Sequence, residues 1–433
     1  MARTGPDLAD TQLKEPLVHK KIRLTGQKPS FNDWEVYAVD SKRERLFLYG
    51  GVRPHDENFI PTCDFHCLDL RTMRWSNLTN SLKFRPRQQV FDPFLKDENI
   101  ASQQLPALTD AACSIVSVGG GSYFFLFGGH NGVNATSDLI AIDLDLSVWW
   151  FVDIQGAPIR PRMSASMVSI NNQLFIFGGR DQFTANAPAI HTYSIAEYSP
   201  QTRWTWRISD GPMPADVPSL GYSMQATPVY DGQKILLLQG RVNDQPINIS
   251  RESAVLFHIQ NHTFQDSRTT MGNFPRDMCW YRVASLDSGP QNFPPASPPT
   301  PRRRGRPPKN PPAAAPPAQQ IHFSSSVVIF GWIKHTGDHL VAEAWHYMLP
   351  PAERIRCLDL KEQFWELDLD LQLFFAVGNR LFLLGSGGEK FPSEEGHEVP
   401  VWDFRLNLLL YKSCHDRVQG VLSLEFSYTG SEN

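Results

Sequence analysis

The chain has 433 residues, of which 41% are hydrophobic, enough to bury a sizeable core. Its formal net charge of −4 excludes a protein that binds nucleic acid through its overall charge. The six cysteines form no disulfide framework and the start of the chain has no apolar stretch, so we expect a reducing compartment and no secretion. No apolar run approaches the length of a membrane span, and we expect no membrane partner.

The beginning of the chain contains one candidate strand before the first sheet. Residues 1–16 are polar, and we expect them to be disordered. Lys21–Thr25 is predicted to be an outer strand that precedes Glu35–Val39, the inner strand of the first sheet. At the other end of the chain, Val421–Tyr428 competes with Lys21–Thr25 for the position that closes the last sheet. The sequence leaves both alternatives open.

Four strand signals follow one another between Ala112 and Ile154. Each is rich in β-branched or aromatic residues and bounded by turn residues, and they are Ala112–Val118, Tyr123–Phe127, Asp138–Leu144 and Trp149–Ile154. The second strand ends in a glycine doublet, and Trp149 follows Asp143 six residues later. Because four antiparallel strands cannot bury both faces of their sheet, we expect further copies to stack on this one.

Copies of this pattern run from about Leu17 to Leu410. Three copies are strong and three are degenerate, with strand ends at Gly50-Gly51, Gly128-Gly129, Gly178-Gly179, Gln239-Gly240, Gly331-Trp332 and Gly385–Gly388. At these residues the chain resembles the kelch-repeat family, whose period is roughly 50 residues. The resemblance implies an all-β, six-bladed propeller over residues 17–433, with four-stranded antiparallel blades like those of the galactose-oxidase central domain.

The repeated residues have structural roles in this interpretation. Paired glycines permit positive φ and a close approach of two backbones. An aspartate at the end of the third strand accepts hydrogen bonds from the backbone of the following turn. The tryptophan that opens the fourth strand is large enough to fill the gap between wedge-shaped blades.

Several segments depart from the repeat. Lys83–Leu105 is predicted to be a polar insertion between the first two blades. His335–Met348 is predicted to be an insertion in the fifth blade, and its second half, LVAEAWHYM, is predicted to form a short helix. In the sixth blade, Val401–Phe404 is predicted to follow the strand Leu381–Leu384.

The largest departure is the segment from Gly289 to Gln320. Twelve of the 28 residues between Pro290 and Pro317 are proline, a composition that cannot build a packed core, so we expect an extended and disordered segment. It separates Tyr281–Leu286 from His322–Phe330, which are predicted to pair. We therefore expect a loop within the fifth blade, not a linker between domains.

Within this loop, residues 301–309 read PRRRGRPPK and resemble an AT-hook. The resemblance implies that the Arg-Gly-Arg core lies in an A·T-rich minor groove, whose narrow width attracts arginine. The predicted DNA-binding residues are Arg302, Arg303, Arg304, Gly305, Arg306, Pro307 and Lys309. Two other interpretations stay open: an import signal alone, and a proline-rich ligand or inert loop. DNA contact and an import signal both favour the nucleus over the cytoplasm.

Basic residues follow several of the glycine doublets. These candidate partner-binding residues are Arg53, His130, Arg180, Arg241 and Lys334. Equivalent loops of a propeller emerge on one face, so the side chains would form a cationic ring around the mouth of the central channel. In kelch adaptors, arginines at this loop position contact acidic peptides, and the resemblance therefore implies a protein partner with an acidic peptide. The alternative is that each cation pairs with a neighbouring loop carboxylate, such as Asp181 or Asp244.

The sequence gives little indication of metal or enzyme chemistry. A set with helix-like spacing consists of His335, His339, Glu343 and His346. Gly337 interrupts any helix between the first two, and strand alternation splits Cys63, His66 and Cys67 between faces. We see no copper arrangement of the galactose-oxidase type, no nucleophile elbow and no phosphate loop. We therefore expect no metal, no cofactor and no enzymatic activity.

Taken together, these patterns predict a nuclear scaffold that binds a protein partner through one propeller face and contacts A·T-rich DNA through residues 301–309. The first alternative is a cytoplasmic kelch adaptor in which 301–309 is only an import signal or a proline-rich ligand. The second alternative is an oxidase of the galactose-oxidase type.

Overall fold

A computed structural model describes most of the chain between residues 21 and 425. The described residues are 21–22, 24–29, 32–53, 59–86, 103–118, 120–182, 189–199, 203–214, 221–238, 240, 254–266, 278–286, 326–334, 340–349, 354–358, 369–377, 380–387, 407–415 and 422–425. Within them the protein consists of strands in six sheets, with a short 3-10 helix at Thr79–Ser81. In this part of the chain no helix is long and apolar enough to span a membrane.

The first two sheets contain five strands each. The first strand of the chain, β1 (Lys21–Ile22), belongs to the last sheet. Sheet 1 contains β2 (Thr25–Gly26), β3 (Val36–Asp40), β4 (Arg45–Tyr49), β5 (Phe65–Asp69) and β6 (Arg74–Asn77). Sheet 2 contains β7 (Lys83–Phe84), β8 (Ala112–Val118), β9 (Gly121–Phe127), β10 (Leu139–Asp143) and β11 (Val148–Phe151).

The next three sheets contain four antiparallel strands each. Sheet 3 contains β12 (Ser166–Ile170), β13 (Gln173–Phe177), β14 (Thr192–Ser199) and β15 (Arg203–Pro212). Sheet 4 contains β16 (Gln225–Val229), β17 (Lys234–Leu238), β18 (Ala254–His258) and β19 (Thr263–Asp266). Sheet 5 contains β20 (Met278–Leu286), β21 (Ser326–Lys334), β22 (Leu340–Met348) and β23 (Arg354–Leu358).

Sheet 6 joins the two ends of the described chain. It contains β24 (Leu369–Val377), β25 (Arg380–Gly387), β26 (Asn407–His415) and β27 (Leu422–Glu425), together with β1. The strand β1 pairs with Leu408 and Leu409, whereas β27 pairs with the other half of β26, Lys412–His415. Both candidate closing strands of the sequence analysis therefore occupy the outer edge of the same strand.

The six sheets are arranged in a ring. The innermost strands β3, β8, β12, β16, β20 and β24 contact one another in that order, and β24 contacts β3 again. The expected all-β propeller arrangement is confirmed. After the outer strand of one sheet, the chain pairs in parallel with the outer strand of the next sheet. The strand β2 pairs with β6 in this way and β7 pairs with β11, while Gln155 forms a parallel bridge to Thr205.

The core lies between neighbouring sheets. Separate clusters of buried side chains fill the gaps between sheets 6 and 1, 1 and 2, 2 and 3, 3 and 4, and 4 and 5. Trp75 lies in the first of these gaps and Trp149 in the second, and both side chains are fully buried. These two tryptophans of the repeat therefore fill the space between sheets, as predicted.

Aspartates close the turns between the third and fourth strands. The Asp143 Oδ1 atom accepts hydrogen bonds from the amides of Asp145 and Leu146, and the Asp69 Oδ1 atom accepts equivalent bonds from Arg71 and Thr72. Because these bonds stabilise the charged form, they hold the pKa of Asp69 below its usual value. The predicted role of the repeated aspartate is confirmed at both turns.

The predicted helix in LVAEAWHYM is wrong. These residues form β22, which pairs with β21 on one side and β23 on the other, so Leu340–Met348 is the third strand of its sheet and not an insertion. The segment contains no helix-breaking residue, and its local sequence permits either structure. Pairing with two neighbouring strands satisfies its backbone groups and overrides any local helical preference.

Three other boundaries also differ from the predictions. Lys21–Thr25 is not one strand, because β1 and β2 pair with different sheets. Lys83–Phe84, placed in a polar insertion, instead forms β7. The partner of β25 is Asn407–His415 rather than Val401–Phe404, which lies outside the described residues.

Residues 1–16 and the segment 289–320 also lie outside the described residues. The strands that flank the second segment, β20 and β21, pair antiparallel with Leu286 opposite Ser326. This pair corresponds to Asp40 opposite Arg45 in sheet 1 and Val118 opposite Gly121 in sheet 2. We call the face that carries these strand ends the hairpin face.

We expect Trp149→Ala to lower the free energy of unfolding by about 3–5 kcal/mol, as truncations of buried tryptophans do. The Trp149 ring is fully buried, and its centroid lies 4.6 Å from that of Phe84. Urea unfolding followed by circular dichroism measures the loss. The control Leu146→Ala changes a side chain that is 64% exposed and should stay within about 0.5 kcal/mol of wild type. Similar losses in both variants would contradict the assignment of the core.

Candidate functional site

The described residues that directly follow the glycine doublets of sheets 1 to 3 emerge on one side of the ring. The second strand of each sheet runs antiparallel to the innermost strand, so the doublets lie where the innermost strands begin. Isolated bridges connect the two segments, from Val52 to Asp33, from His130 to Thr109 and from Arg180 to Met163. We call this side the doublet face, and it is opposite the hairpin face.

The first glycine of a doublet meets the backbone of the next sheet. A Cβ atom on Gly50 would lie 2.2 Å from the Leu108 carbonyl oxygen, and one on Gly128 would lie 2.2 Å from that of Arg162. Both glycines also have positive φ, at 70° and 65°. No other residue fits these positions without moving the backbone, which explains the doublets as packing features.

Four equivalent residues form a collar around the mouth of the central channel: Trp34, Asp110, Ser164 and Ser223. The amide of Asp110 donates to the Trp34 carbonyl at 3.1 Å, that of Ser164 donates to Asp110 at 2.8 Å, and that of Ser223 donates to Ser164 at 2.8 Å. All four have φ between 53° and 55°, a left-handed conformation that non-glycine residues seldom adopt. The collar thus connects sheets 1 to 4 through backbone hydrogen bonds.

A cavity of about 530 Å³ occupies the centre of the ring. Residues from the innermost strands of all six sheets line it, and the four collar residues line it on the doublet face. Asn32, Glu35, Arg180 and Tyr222 also line it near that opening. The mouth therefore combines a carboxyl group, a guanidinium group and an aromatic ring.

Glu35 has a strongly perturbed carboxyl group at the mouth. Burial raises its pKa to about 8, and the negative charge of Asp33 acts in the same direction. A hydrogen bond from the Asn32 amide to the Glu35 Oε2 atom, at 3.3 Å, acts against this rise. At neutral pH the carboxyl group is therefore mostly protonated in the folded protein.

The structure positions three of the five predicted partner-binding cations on the doublet face. Arg53 is exposed there, and His130 is half-buried. The His130 Nδ1 atom accepts a hydrogen bond from the Gly132 amide, and burial lowers the pKa of His130, with the charge of Arg180 adding to the effect. Arg180 is only 8% exposed, and its guanidinium carbon lies 4.3 Å from the centre of the Tyr222 ring.

The remaining predicted site residues cannot be placed at this mouth. Arg241 lies outside the described residues, and so does the side chain of Lys334, whose backbone ends β21. The seven predicted DNA-binding residues between Arg302 and Lys309 lie outside as well.

An apolar patch beside the mouth was not predicted from the sequence. We call it the rim patch, and it consists of Trp34, Phe59, Ile60 and Val133, which are 41%, 53%, 60% and 77% exposed. The rings of Trp34 and Phe59 stack with centroids 5.9 Å apart. A Cβ atom on Gly132 would lie 3.2 Å from Pro61, which brings the loop of Val133 next to Ile60.

The sequence analysis also missed Arg162, which is completely buried. Its guanidinium donates to the Gly178 carbonyl at 3.1 Å and forms an ion pair with Asp210. Asn32 takes the equivalent position in sheet 1, where its Nδ2 atom donates to the Gly50 carbonyl at 2.8 Å. Arg162 and Asn32 each lie two residues before a collar residue, and this repeat offset is a sequence signal that could have identified them.

The candidate metal ligands do not come together in the described part of the chain. There, no group of three His, Cys, Asp or Glu side chains is arranged to hold a metal ion. Burial raises the pKa of Cys67 to about 12, so this thiol stays protonated at neutral pH. His335 and His339 lie outside the described residues.

Comparison with known proteins gives one short match. No family model matches the chain. A stretch of 106 residues is 26% identical to the Rho GTPase-activating protein gacHH of Dictyostelium discoideum. The match covers 24% of this chain and 7% of that protein, so the chain spans a small part of the curated relative.

We expect Glu35 to contribute a fall in the free energy of unfolding as the pH rises from about 5 to 8, and Glu35→Gln to remove this contribution. The folded protein holds a proton on Glu35 up to a pKa of about 8, whereas the unfolded chain releases it near 4.5. The free energy of unfolding should therefore decrease by up to about 1.4 kcal/mol per pH unit in this window. Urea unfolding at a series of pH values measures the effect. The control Leu146→Ala, which changes no titratable group, should keep the wild-type slope, and an unchanged slope in Glu35→Gln would refute the assignment.

Proposed function

We propose that this chain is a six-bladed, kelch-type propeller that acts as a nuclear scaffold without enzymatic activity. Its doublet face binds a protein partner, and its 301–309 segment contacts A·T-rich DNA. The rim patch at the channel mouth carries the first part of this proposal. The second part rests on the AT-hook-like sequence.

The six sheets support the six-bladed assignment. Each has an antiparallel meander of strands, and the innermost strands follow one another around the ring. The glycine doublets, the turn aspartates and the tryptophans between sheets have the roles that a kelch repeat requires. A propeller of this kind presents loops of every blade on one face, which suits a protein-binding scaffold.

The rim patch supports protein binding on the doublet face. Among the described residues, five large hydrophobic side chains are strongly exposed, and four of them form this patch. The fifth, Leu146, lies in the turn between β10 and β11 on the hairpin face. A concentration of exposed apolar side chains beside a cavity is typical of an interaction site, and stacked aromatic rings provide rigid contact area.

The prediction that the partner carries an acidic peptide rests on fewer residues than the sequence suggested. Arg53 is the exposed member of the described cations, and Arg241 and Lys334 remain candidates. We therefore propose that apolar contact at the rim patch provides most of the binding energy. Arg53 then adds a charged contact at its edge, where solvent screens it.

The composition of the 301–309 segment supports a separate role for it, because its five cations suit contact with DNA phosphates. The described strand ends nearest to it in the sequence, Leu286 and Ser326, lie on the hairpin face. We propose that both contacts are made in the nucleus, because the basic segment also has the composition of an import signal.

We expect Ile60→Asp to abolish capture of the partner without loss of stability. Ile60 is 60% exposed, so a charge there removes apolar contact area but does not disturb the core. Affinity purification of the tagged 433-residue chain from nuclear extract, followed by quantitative mass spectrometry, compares the captured proteins. The matched control is Leu146→Asp, which places the same charge at an exposed apolar residue of the hairpin face. Identical partner sets in wild type and Ile60→Asp would remove the rim patch from the proposal.

We expect the double variant Arg304→Ala/Arg306→Ala to lose the preference for A·T-rich DNA. If about four of the five cations between Arg302 and Lys309 reach the duplex, the affinity should fall with salt with a log–log slope of about −3.6. Fluorescence anisotropy with A·T-rich and G·C-rich hairpins measures both effects. The control Arg71→Ala/Arg74→Ala removes two arginines from a turn on the hairpin face and should keep the preference. Equal affinity of the wild type for both hairpins would leave the segment as an import signal alone.

A further inference from the structure

The sequence contains a single Asn-Gly pair, Asn131-Gly132, and it lies in the loop that carries Val133 of the rim patch. The Asn131 amide donates to the Asn134 carbonyl at 3.1 Å, which closes the loop into a tight turn. All residues from Asn131 to Asn134 are exposed. Any chemistry of this loop therefore takes place in contact with water, next to the proposed partner surface.

Two backbone donors hold the side-chain carbonyl of Asn131. Its Oδ1 atom accepts hydrogen bonds from the Val133 and Asn134 amides, both at 2.9 Å. When a nucleophile attacks a carbonyl carbon, the oxygen gains negative charge, and donors that already point at the oxygen stabilise that charge. The turn therefore makes the side-chain carbon of Asn131 more susceptible to attack.

The nearest nucleophile is the backbone nitrogen of Gly132, and a base contacts it. Its N–H group donates to the His130 Nδ1 atom at 3.1 Å, which requires the imidazole tautomer with its proton on Nε2. Burial lowers the pKa of His130, so the ring is neutral at pH 7 and Nδ1 can accept this proton. Glycine has no side chain that would crowd the attacking nitrogen.

We propose that Asn131 is a site of spontaneous covalent modification, in which the Gly132 nitrogen attacks the Asn131 side-chain carbon and displaces ammonia. The new bond joins this nitrogen to Cγ and gives a cyclic imide, while the bond from Cγ to Nδ2 breaks. The proton of the Gly132 amide passes through His130 to the departing amine. Water, the one co-reactant, then opens the imide at either carbonyl and yields aspartate or isoaspartate. No electrons are exchanged with another molecule.

Two other turns have the same carbonyl contact without the glycine. The Asn77 and Asn261 Oδ1 atoms each accept a hydrogen bond from the backbone amide two residues later, at 3.0 and 3.3 Å. The residues that follow them are Leu78 and His262, whose side chains crowd the nitrogen that would attack. Asn77 and Asn261 are therefore internal controls for the reaction at Asn131.

The products change the loop that presents Val133. Isoaspartate adds a methylene group to the backbone of the turn, and both products carry a negative charge next to an apolar surface. A partner that covers this surface would have to remove water from the charge, which costs free energy. The effect on the partner rests on the proposed function, whereas the reaction itself does not.

The test follows Asn131 in the purified 433-residue chain during incubation at neutral pH. Peptide mapping by mass spectrometry measures aspartate and isoaspartate separately, and isoaspartate forms only through attack by the Gly132 nitrogen. We expect Asn131 to react at least about tenfold faster than Asn77 and Asn261, and at least about tenfold faster than in a free peptide of residues 127–138. The peptide has the same sequence without the fixed base and donors. A folded chain that reacts no faster than the peptide would overturn the proposal.

Two variants test the base. His130→Phe keeps a ring without the accepting nitrogen, and His130→Asn keeps a side-chain acceptor for the Gly132 amide without a basic nitrogen. Both should react at least about tenfold more slowly than wild type, and circular dichroism checks that they are folded. The matched control is His258→Phe, which changes another half-buried histidine and should keep the wild-type rate. A wild-type rate in folded His130→Asn would refute the route through His130.

Partner capture separates this inference from the proposed function. Modified chain, isolated by ion exchange, should capture less partner than unmodified chain, and Asn131→Ala should not lose capture during the same incubation. If Asn131 is inert while Ile60→Asp still abolishes capture, the inference falls and the proposed function stands. If Asn131 reacts as expected while Ile60→Asp has no effect, the modification site stands and the rim patch is not the partner surface.

Discussion

The hydrogen bonds between neighbouring sheets at the collar are the constraint on which the channel mouth depends. Each collar residue after the first donates its amide to the preceding sheet, which requires the chain to turn at the same depth in sheets 1 to 4. A left-handed conformation achieves this turn, although it is unfavourable for a bulky residue such as Trp34. Such conformations persist only where the surroundings determine them, and here the closed ring does so. The collar thereby fixes the backbone next to Glu35 and Ser164.

Local sequence features predicted the sheets well. Strand alternation, glycine doublets and turn aspartates each depend on a few neighbouring residues, so a single sequence is enough to identify them. The strands between Ala112 and Phe151 lie within a few residues of their predicted bounds. The errors have two causes. Local preference cannot assign the sequence of β22, which could form either a helix or a strand. The strand β1 is only two residues long, and its partner β26 is distant in the chain.

The mouth could be predicted only in part. The sequence correctly indicated that Arg53, His130 and Arg180 share one face, because that follows from strand direction. It could not show that Arg180 is buried against Tyr222, which depends on contact between two sheets. Glu35 and Asn32 carry no motif, and their importance comes from burial beside the collar. Arg162 shares this property, since its partner Asp210 is 48 residues away in the chain.

The shared edge of β26 has a consequence for the synthesis of the protein. Ile22 leaves the ribosome early, but its partner Leu408 is made roughly four hundred residues later. At typical translation rates, this delay is about 20 to 80 seconds. During that time sheets 1 to 5 can stack as an open arc, whose terminal sheets expose apolar faces and an unpaired strand edge. Closure of the ring therefore waits until β26 has been made, and the nascent arc is the species that chaperones would have to protect.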